Sequence, residues 1–93
     1  MKTLKVRNMT SSRGNTVPNQ FILAGHNVSF FQSYDSTIAK EEYTANGKEV
    51  TLDEIYWDYS RTTAKYLGQF LGESMKEVRA KVKTGEYKFA NLN

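Results

Sequence analysis

Hydrophobic residues in the first half of the chain come in short runs separated by turn-forming residues. Residues 20–24 and 28–34 are rich in strand formers and flank the turn cluster GHN at 25–27, which predicts a β-hairpin with a three-residue loop. Phe30 and Phe31 are adjacent, so their side chains should point to opposite faces of the strand. One of the two can lie in the core, and the other must cover something or be exposed.

A second hairpin is predicted around Asn46-Gly47, because both residues accept the positive φ angles of a type I′ turn. In that register Tyr43 would lie opposite Val50. With the first hairpin, this makes an antiparallel meander of three or four short strands over residues 20–52.

From residue 55 onward the hydrophobic spacing changes to steps of three and four, which is typical of an amphipathic helix. Thr51-x-x-Glu54 matches a capping box, so a helical turn is predicted there, and Asp58 or Ser60 could cap a helix that starts afresh. Gly72 is placed to end that helix.

A second capping box, Ser74-x-x-Glu77, predicts a short helix that runs through residue 84 and ends at Gly85. Residues 86–90 alternate like a closing edge strand. The predicted fold class is α+β, an antiparallel sheet of three to five short strands with two helices packed on one face.

The basic charge of the chain is concentrated at its start. Residues 1–17 carry four Lys or Arg and no acid, whereas residues 35–58 carry a net charge of −5 and residues 59–93 a net charge of +4. We interpret residues 1–17 as a flexible basic N-terminal tail and residues 18–93 as a single small α+β domain; a short strand through Leu4 and Val6 is the alternative.

Several kinds of chemistry have little support in the composition. The chain has no Cys and one His, His26, in the predicted turn, so we expect no metal site, no catalytic residue and no cofactor. It shows neither the long apolar run of a membrane span nor the apolar segment of a signal peptide. We therefore expect a non-enzymatic protein of the cytoplasm.

Candidate binding residues come from the basic helices and from aromatic residues outside the apolar stripe. Residues 76, 79 and 83 share one helix face, and residues 61 and 65 form an i, i+4 pair on the preceding helix. A solvated helix face is the structural alternative, and contact with phosphates is the functional one. The candidate set is Arg61, Lys65, Lys76, Arg79, Lys83, Tyr34 and Trp57.

Three segments resemble a pattern shared by small, uncharacterised bacteriophage proteins. They are NQF at residues 19–21, FQSYDSTIA at 31–39 and WDYSRTTAKYLGQFLGE at 57–73. The likeness covers about residues 18–93 and offers no catalytic residues to carry over. It implies a phage or prophage origin, an accessory role and action in the bacterial cytoplasm.

Two functions follow as hypotheses. The first is non-catalytic binding to a host protein or defence complex, as a counter-defence or host-takeover inhibitor, with Tyr34 or Trp57 as anchors. The alternative is a nucleic-acid-binding accessory protein that uses the basic helix face and tail. A homodimer through the exposed edge of the sheet is also compatible with the sequence.

Overall fold

A computed structural model describes residues 4–93 of the chain. Within this range six strands form one sheet in sequence order, and two helices connect the fifth strand to the sixth. The elements are β1 (Lys5–Thr10), β2 (Thr16–Ala24), β3 (Val28–Ser33), β4 (Ser36–Thr44), β5 (Gly47–Asp53), α1 (Arg61–Leu71), α2 (Met75–Thr84) and β6 (Lys88–Ala90).

Strands β1 to β5 form an antiparallel meander, and β6 lies parallel to β5. A parallel pair needs a long crossover, which the two helices supply. Because the antiparallel meander and the two helices occupy separate parts of the chain, the α+β class is confirmed. The expected three to five strands were too few, because β1 adds a strand at the edge of the sheet.

The interpretation of residues 1–17 as a flexible tail is wrong for the part that the structure describes. Strand β1 pairs with β2 from Lys5 opposite Ala24 to Thr10 opposite Thr16, and the side chain of Met9 is buried in the core. Residues 1–3 lie outside the described range. The segment has few apolar residues of its own, but backbone pairing with β2 and one buried side chain hold it in the sheet.

The first hairpin turn is confirmed and the register of the second is wrong. Gly25 N donates to Val28 O at 2.7 Å and closes the predicted turn. In the second hairpin Tyr43 lies opposite Lys48 instead of Val50. Only Gly47 has a positive φ, 102°, whereas a type I′ turn needs it at two residues. Each β4 residue therefore pairs with a residue two positions closer to the turn than predicted.

Both helices begin and end where their capping residues indicated. The Ser60 side chain accepts from Thr63 N at the start of α1, and Gly72 follows its last residue in the left-handed conformation. Ser74 and Glu77 form both bonds of the capping box on α2, and Gly85 ends it. The other predicted capping box is wrong, because residues 51–53 belong to β5.

The helix layer covers the face of the sheet that carries Phe31. Its ring stacks on Phe70 of α1 with centroids 5.8 Å apart. Tyr66, Leu67 and Leu71 are buried in the same core, which confirms the amphipathic interpretation of this helix. Phe30 points to the opposite face, as the alternation required.

Candidate functional site

Strands β3, β5 and β6 run in the same direction and end at the same end of the sheet, where α1 also begins. The loop between β5 and α1, residues 54–60, lies there with the β3–β4 turn. Two of the candidate binding residues, Tyr34 and Trp57, are therefore brought to one end of the molecule.

A buried carboxylate holds this end together. Asp53 is 1% exposed; its Oδ2 accepts from Ile55 N at 3.1 Å and Tyr56 N at 2.9 Å, and its Oδ1 accepts from Leu92 N at 2.9 Å and Asn93 Nδ2 at 3.0 Å. Burial alone would raise the pKa of Asp53, but these four hydrogen bonds outweigh it and hold the pKa below its ordinary value. The loop and the C-terminal residues are thus fixed to one charged group.

Asn93 continues this network into the neighbouring strand. Its Oδ1 accepts from Thr37 N at 2.8 Å, and its Nδ2 also donates to Thr37 O at 3.0 Å. The sequence predicted a helical turn at the Thr51-x-x-Glu54 capping box, and the role of Asp53 as a shared acceptor was missed. The bonds from Ile55 N and Tyr56 N are local, but no local pattern points to the other two donors, which lie about 40 positions along the chain.

Large apolar side chains are exposed on this fixed frame. The exposed fractions are 66% for Ile55, 53% for Tyr59, 50% for Tyr34 and 45% for Phe89. Trp57 is half-buried, and its ring lies 5.7 Å from that of Phe89. We call the surface formed by Tyr34, Ile55, Trp57, Tyr59 and Phe89 the sheet-end surface. Trp and Tyr are the residues most enriched among energetic anchors of protein interfaces.

Tyr34 is presented by an unusual backbone. It has a φ of 54°, and Asn19 has a φ of 64°. Tyr34 N donates to Asn19 O at 2.7 Å, so the two residues support one another. A bulky residue with positive φ is uncommon and costs about 1–3 kcal/mol, and such residues cluster at functional sites.

A buried hydroxyl cluster joins the turn to the start of α1. Ser33 Oγ and Thr63 Oγ1 are 3.1 Å apart, and Ser60 Oγ donates to Thr63 Oγ1 at 3.0 Å. Gln20 lies opposite Ser33 in the sheet and is fully buried, and neither polar atom of its side chain has a hydrogen-bond partner among the described residues. The segments NQF, FQSY and SRTT, which are distant in sequence, therefore meet here.

The predicted basic residues differ in their surroundings. Arg79 pairs with Asp58 at 3.5 Å and lies 5.6 Å from the centre of the Trp57 ring. Lys65 lies 5.3 Å from the ring centre of Tyr66 on its own helix. The remaining three, Arg61, Lys76 and Lys83, are exposed. Arg79 thus belongs to the margin of the sheet-end surface, and its charge is shared with Asp58.

A second polar cluster, which the sequence did not indicate, connects α2 to the chain that follows it. Tyr87 OH donates to Glu73 Oε1 at 2.5 Å, and Lys81 pairs with the other oxygen of that carboxylate. Burial, and then the hydrogen bond to Glu73, raises the pKa of Tyr87 to about 12. The hydrogen bond to Glu73 also raises the pKa of Lys81 to about 12. The cluster fastens the chain between α2 and β6 to the helix layer.

Two further observations concern residues 4–93 as a whole. No group of three or more His, Asp or Glu side chains in this range is placed to hold a metal ion. Neither helix of this part of the chain has the length and apolar character needed to cross a bilayer.

The molecule is thus an α+β domain whose meander sheet carries helices on one face and a surface of exposed aromatic residues at one end. The chain belongs to a family of unknown function (DUF8033), whose model matches residues 4–87. The match includes strand β1, in agreement with its place in the sheet. Comparisons with curated proteins and with solved structures found no match.

Proposed function

We propose that this protein acts by non-catalytic binding to another protein through the sheet-end surface. The observation that carries the proposal is the exposure of four large apolar side chains on a loop, turn and strand that one buried carboxylate and its partners hold in place. A surface fixed before binding loses less conformational entropy when the complex forms.

The charges around this surface define the chemistry of the partner. Asp35, Glu54 and Asp58 lie at the same end of the sheet. The ion pair with Arg79 already neutralises part of the negative charge of Asp58. A partner with an apolar pocket bordered by basic residues would complement this arrangement. The resemblance to bacteriophage proteins makes a host protein or defence complex in the bacterial cytoplasm the first partner to test.

The test is a capture experiment with matched variants. Tagged wild-type protein and the variants Ile55→Ser, Tyr59→Ser and Tyr43→Ser would be incubated with bacterial lysate, with and without nuclease. Tyr43 is a suitable control because it is 56% exposed but lies near the opposite end of the sheet. We expect a specific protein that survives nuclease, is lost with the first two variants and is kept by Tyr43→Ser. Equal capture by all four proteins would refute the proposal.

Nucleic-acid binding is the second candidate, and the exposure of Lys76 and Lys83 favours it. Both lie on α2, and neither forms an ion pair with the described residues. If they contact phosphates, replacing both by Ala should weaken binding to a labelled oligonucleotide. The slope of the logarithm of the binding constant against the logarithm of the salt concentration should also decrease in magnitude by about one for each residue replaced. Binding that does not respond to salt would exclude this candidate.

A further inference from the structure

The face of the sheet opposite the helices carries a second apolar surface. Strand pairing places Phe30 between Leu23 and Lys40, and the same row continues across all six strands. We call it the central row, and its members are Val6, Leu23, Phe30, Lys40, Thr51 and Lys88. Both helices lie on the other face, so no helix of residues 4–93 covers this row.

A second row lies two residues along each strand, towards the hairpin turns. Val28 pairs with Glu42, and Glu42 pairs with Glu49. Gly25 stands beside Val28, and a Cβ built on it would lie 2.8 Å from Leu4 Cδ2, so Leu4 packs on this glycine. We call this the outer row, formed by Leu4, Gly25, Val28, Glu42 and Glu49.

The apolar members of the two rows are not part of the core that the helices cover. Phe30, Leu23 and Val28 are partly exposed and pack neither in the buried core nor against it, and Leu4 and Val6 are exposed. Five apolar side chains therefore form a contiguous patch across β1, β2 and β3. Patches of this kind usually mark an interface.

Charge divides the same face in a regular way. The central row carries Lys40 and Lys88, and the outer row carries Glu42 and Glu49. Within one chain Lys40 pairs with Glu42 at 3.6 Å. Glu42 and Glu49 lie directly opposite one another, an arrangement of like charges that is unfavourable unless another cation approaches.

We propose that this face binds a second copy of the chain, related by a two-fold axis that runs across the strands between the two rows. Such an axis places each strand over its own copy in the opposite direction, so the central row of one chain faces the outer row of the other. Phe30 then packs on Val28 of the second copy, and Lys40 lies over its Glu42. The apolar residues of β1 to β3 meet their own copies, and Lys40 of each chain meets Glu42 of the other.

The twist of the sheets limits how far this matching extends. Two sheets packed face to face cross at about 30°, so opposing rows coincide best near the centre of the interface. That centre lies at the middle of the six strands, between β3 and β4. Phe30, Val28, Lys40 and Glu42 are the residues at that position, and they carry the matching. The edge strand β1 is not needed for this dimer.

The first test is the mass in solution, measured by sedimentation equilibrium over a range of protein concentrations. We expect wild-type protein to approach twice its monomer mass of 10.7 kDa. Phe30→Glu should remain monomeric because it replaces the central apolar ring by a carboxylate that would be buried against Val28 of the second copy. Tyr43→Ser is the control and should dimerise normally, since its side chain lies on the helix side of the sheet near the hairpin tip. Circular dichroism checks that each variant is folded.

Charge reversal tests the register even if Phe30→Glu does not fold. Lys40→Glu and Glu42→Lys should each raise the dissociation constant about tenfold or more, because like charges then face one another across the axis. The double variant restores opposite charges and should return to within about threefold of wild type. A monomeric wild-type protein, a dimer in Phe30→Glu, or no recovery in the double variant would overturn the proposal. The proposal would also be overturned if monomeric wild-type protein bound single-stranded DNA through this face, as shown by loss of DNA binding in Phe30→Glu.

Discussion

Asp53→Asn removes one oxygen from a buried acceptor that four donors share. The amide that replaces it can still accept through its single oxygen, towards Leu92 N and Asn93 Nδ2. Its NH₂ group would face Ile55 N and Tyr56 N, so two donors lose their acceptor and meet another donor. The substitution changes neither the volume of the side chain nor the apolar packing around it.

The size of the effect follows from those two lost bonds. A hydrogen bond to a charged group contributes about 1.5–3 kcal/mol, which sets the gross loss at roughly 3–6 kcal/mol. A neutral amide is easier to bury than a carboxylate, which offsets part of this loss. We expect the free energy of unfolding to fall by about 3 kcal/mol, and for a domain of this size Tm should fall by about 12–24 °C.

Acid should reduce the difference in the free energy of unfolding between wild type and Asp53→Asn. The pKa of Asp53 in the folded state lies below its ordinary value of 3.8. A carboxyl with a depressed pKa stabilises the fold at pH values above the unfolded pKa, and that contribution is lost as pH falls through the folded pKa. Wild type should therefore lose its advantage over Asp53→Asn as the pH falls below about 4.

The assay is urea unfolding followed by circular dichroism at several pH values. Glu54→Gln is the matched control, because it makes the same chemical change at the next, exposed position and should alter stability by less than about 0.5 kcal/mol. If Asp53→Asn were as stable as Glu54→Gln at pH 7, the assignment of Asp53 as the acceptor that holds the sheet end would be refuted.

Three further predictions concern single residues. Gly68→Ala should lower the free energy of unfolding, measured with urea, by about 1–3 kcal/mol, because the added Cβ would lie 2.7 Å from Glu73 O. Ala favours helix more than Gly does, so a stabilised variant would contradict this prediction. Gln20→Met should stabilise by about 1–3 kcal/mol by removing two buried polar atoms without partners, and a loss of stability would show that the amide is bonded. Absorbance titration of wild type, compared with Tyr87→Phe, should show one tyrosine that ionises near pH 12. Because the pKa of Tyr87 is raised in the folded state, the stability that Tyr87 contributes is complete below about pH 10 and is lost as the pH rises towards 12. Ionisation of Tyr87 near pH 10 would contradict the assignment.

The sheet-end surface was only partly predictable. Trp57 was singled out because it lies off the helical stripe, and Tyr34, the last residue of a predicted strand, was named as an aromatic anchor. Ile55 and Tyr59 were assigned to the apolar stripe, but they precede α1 and are exposed. The period of three to four continued through them by coincidence, since the loop 54–60 contains no helix.

The features that arise from interactions between neighbouring residues follow from the sequence without the tertiary structure. Ser60 and Ser74 begin their helices and Gly72 and Gly85 follow them, because a cap is an interaction within three or four positions. The tertiary structure alone decided that β1 joins the sheet, that the second hairpin shifts its register and that Asp53 binds the C-terminal residues. Each of these depends on a partner distant in sequence or on competition between whole strands, and no local pattern encodes that balance.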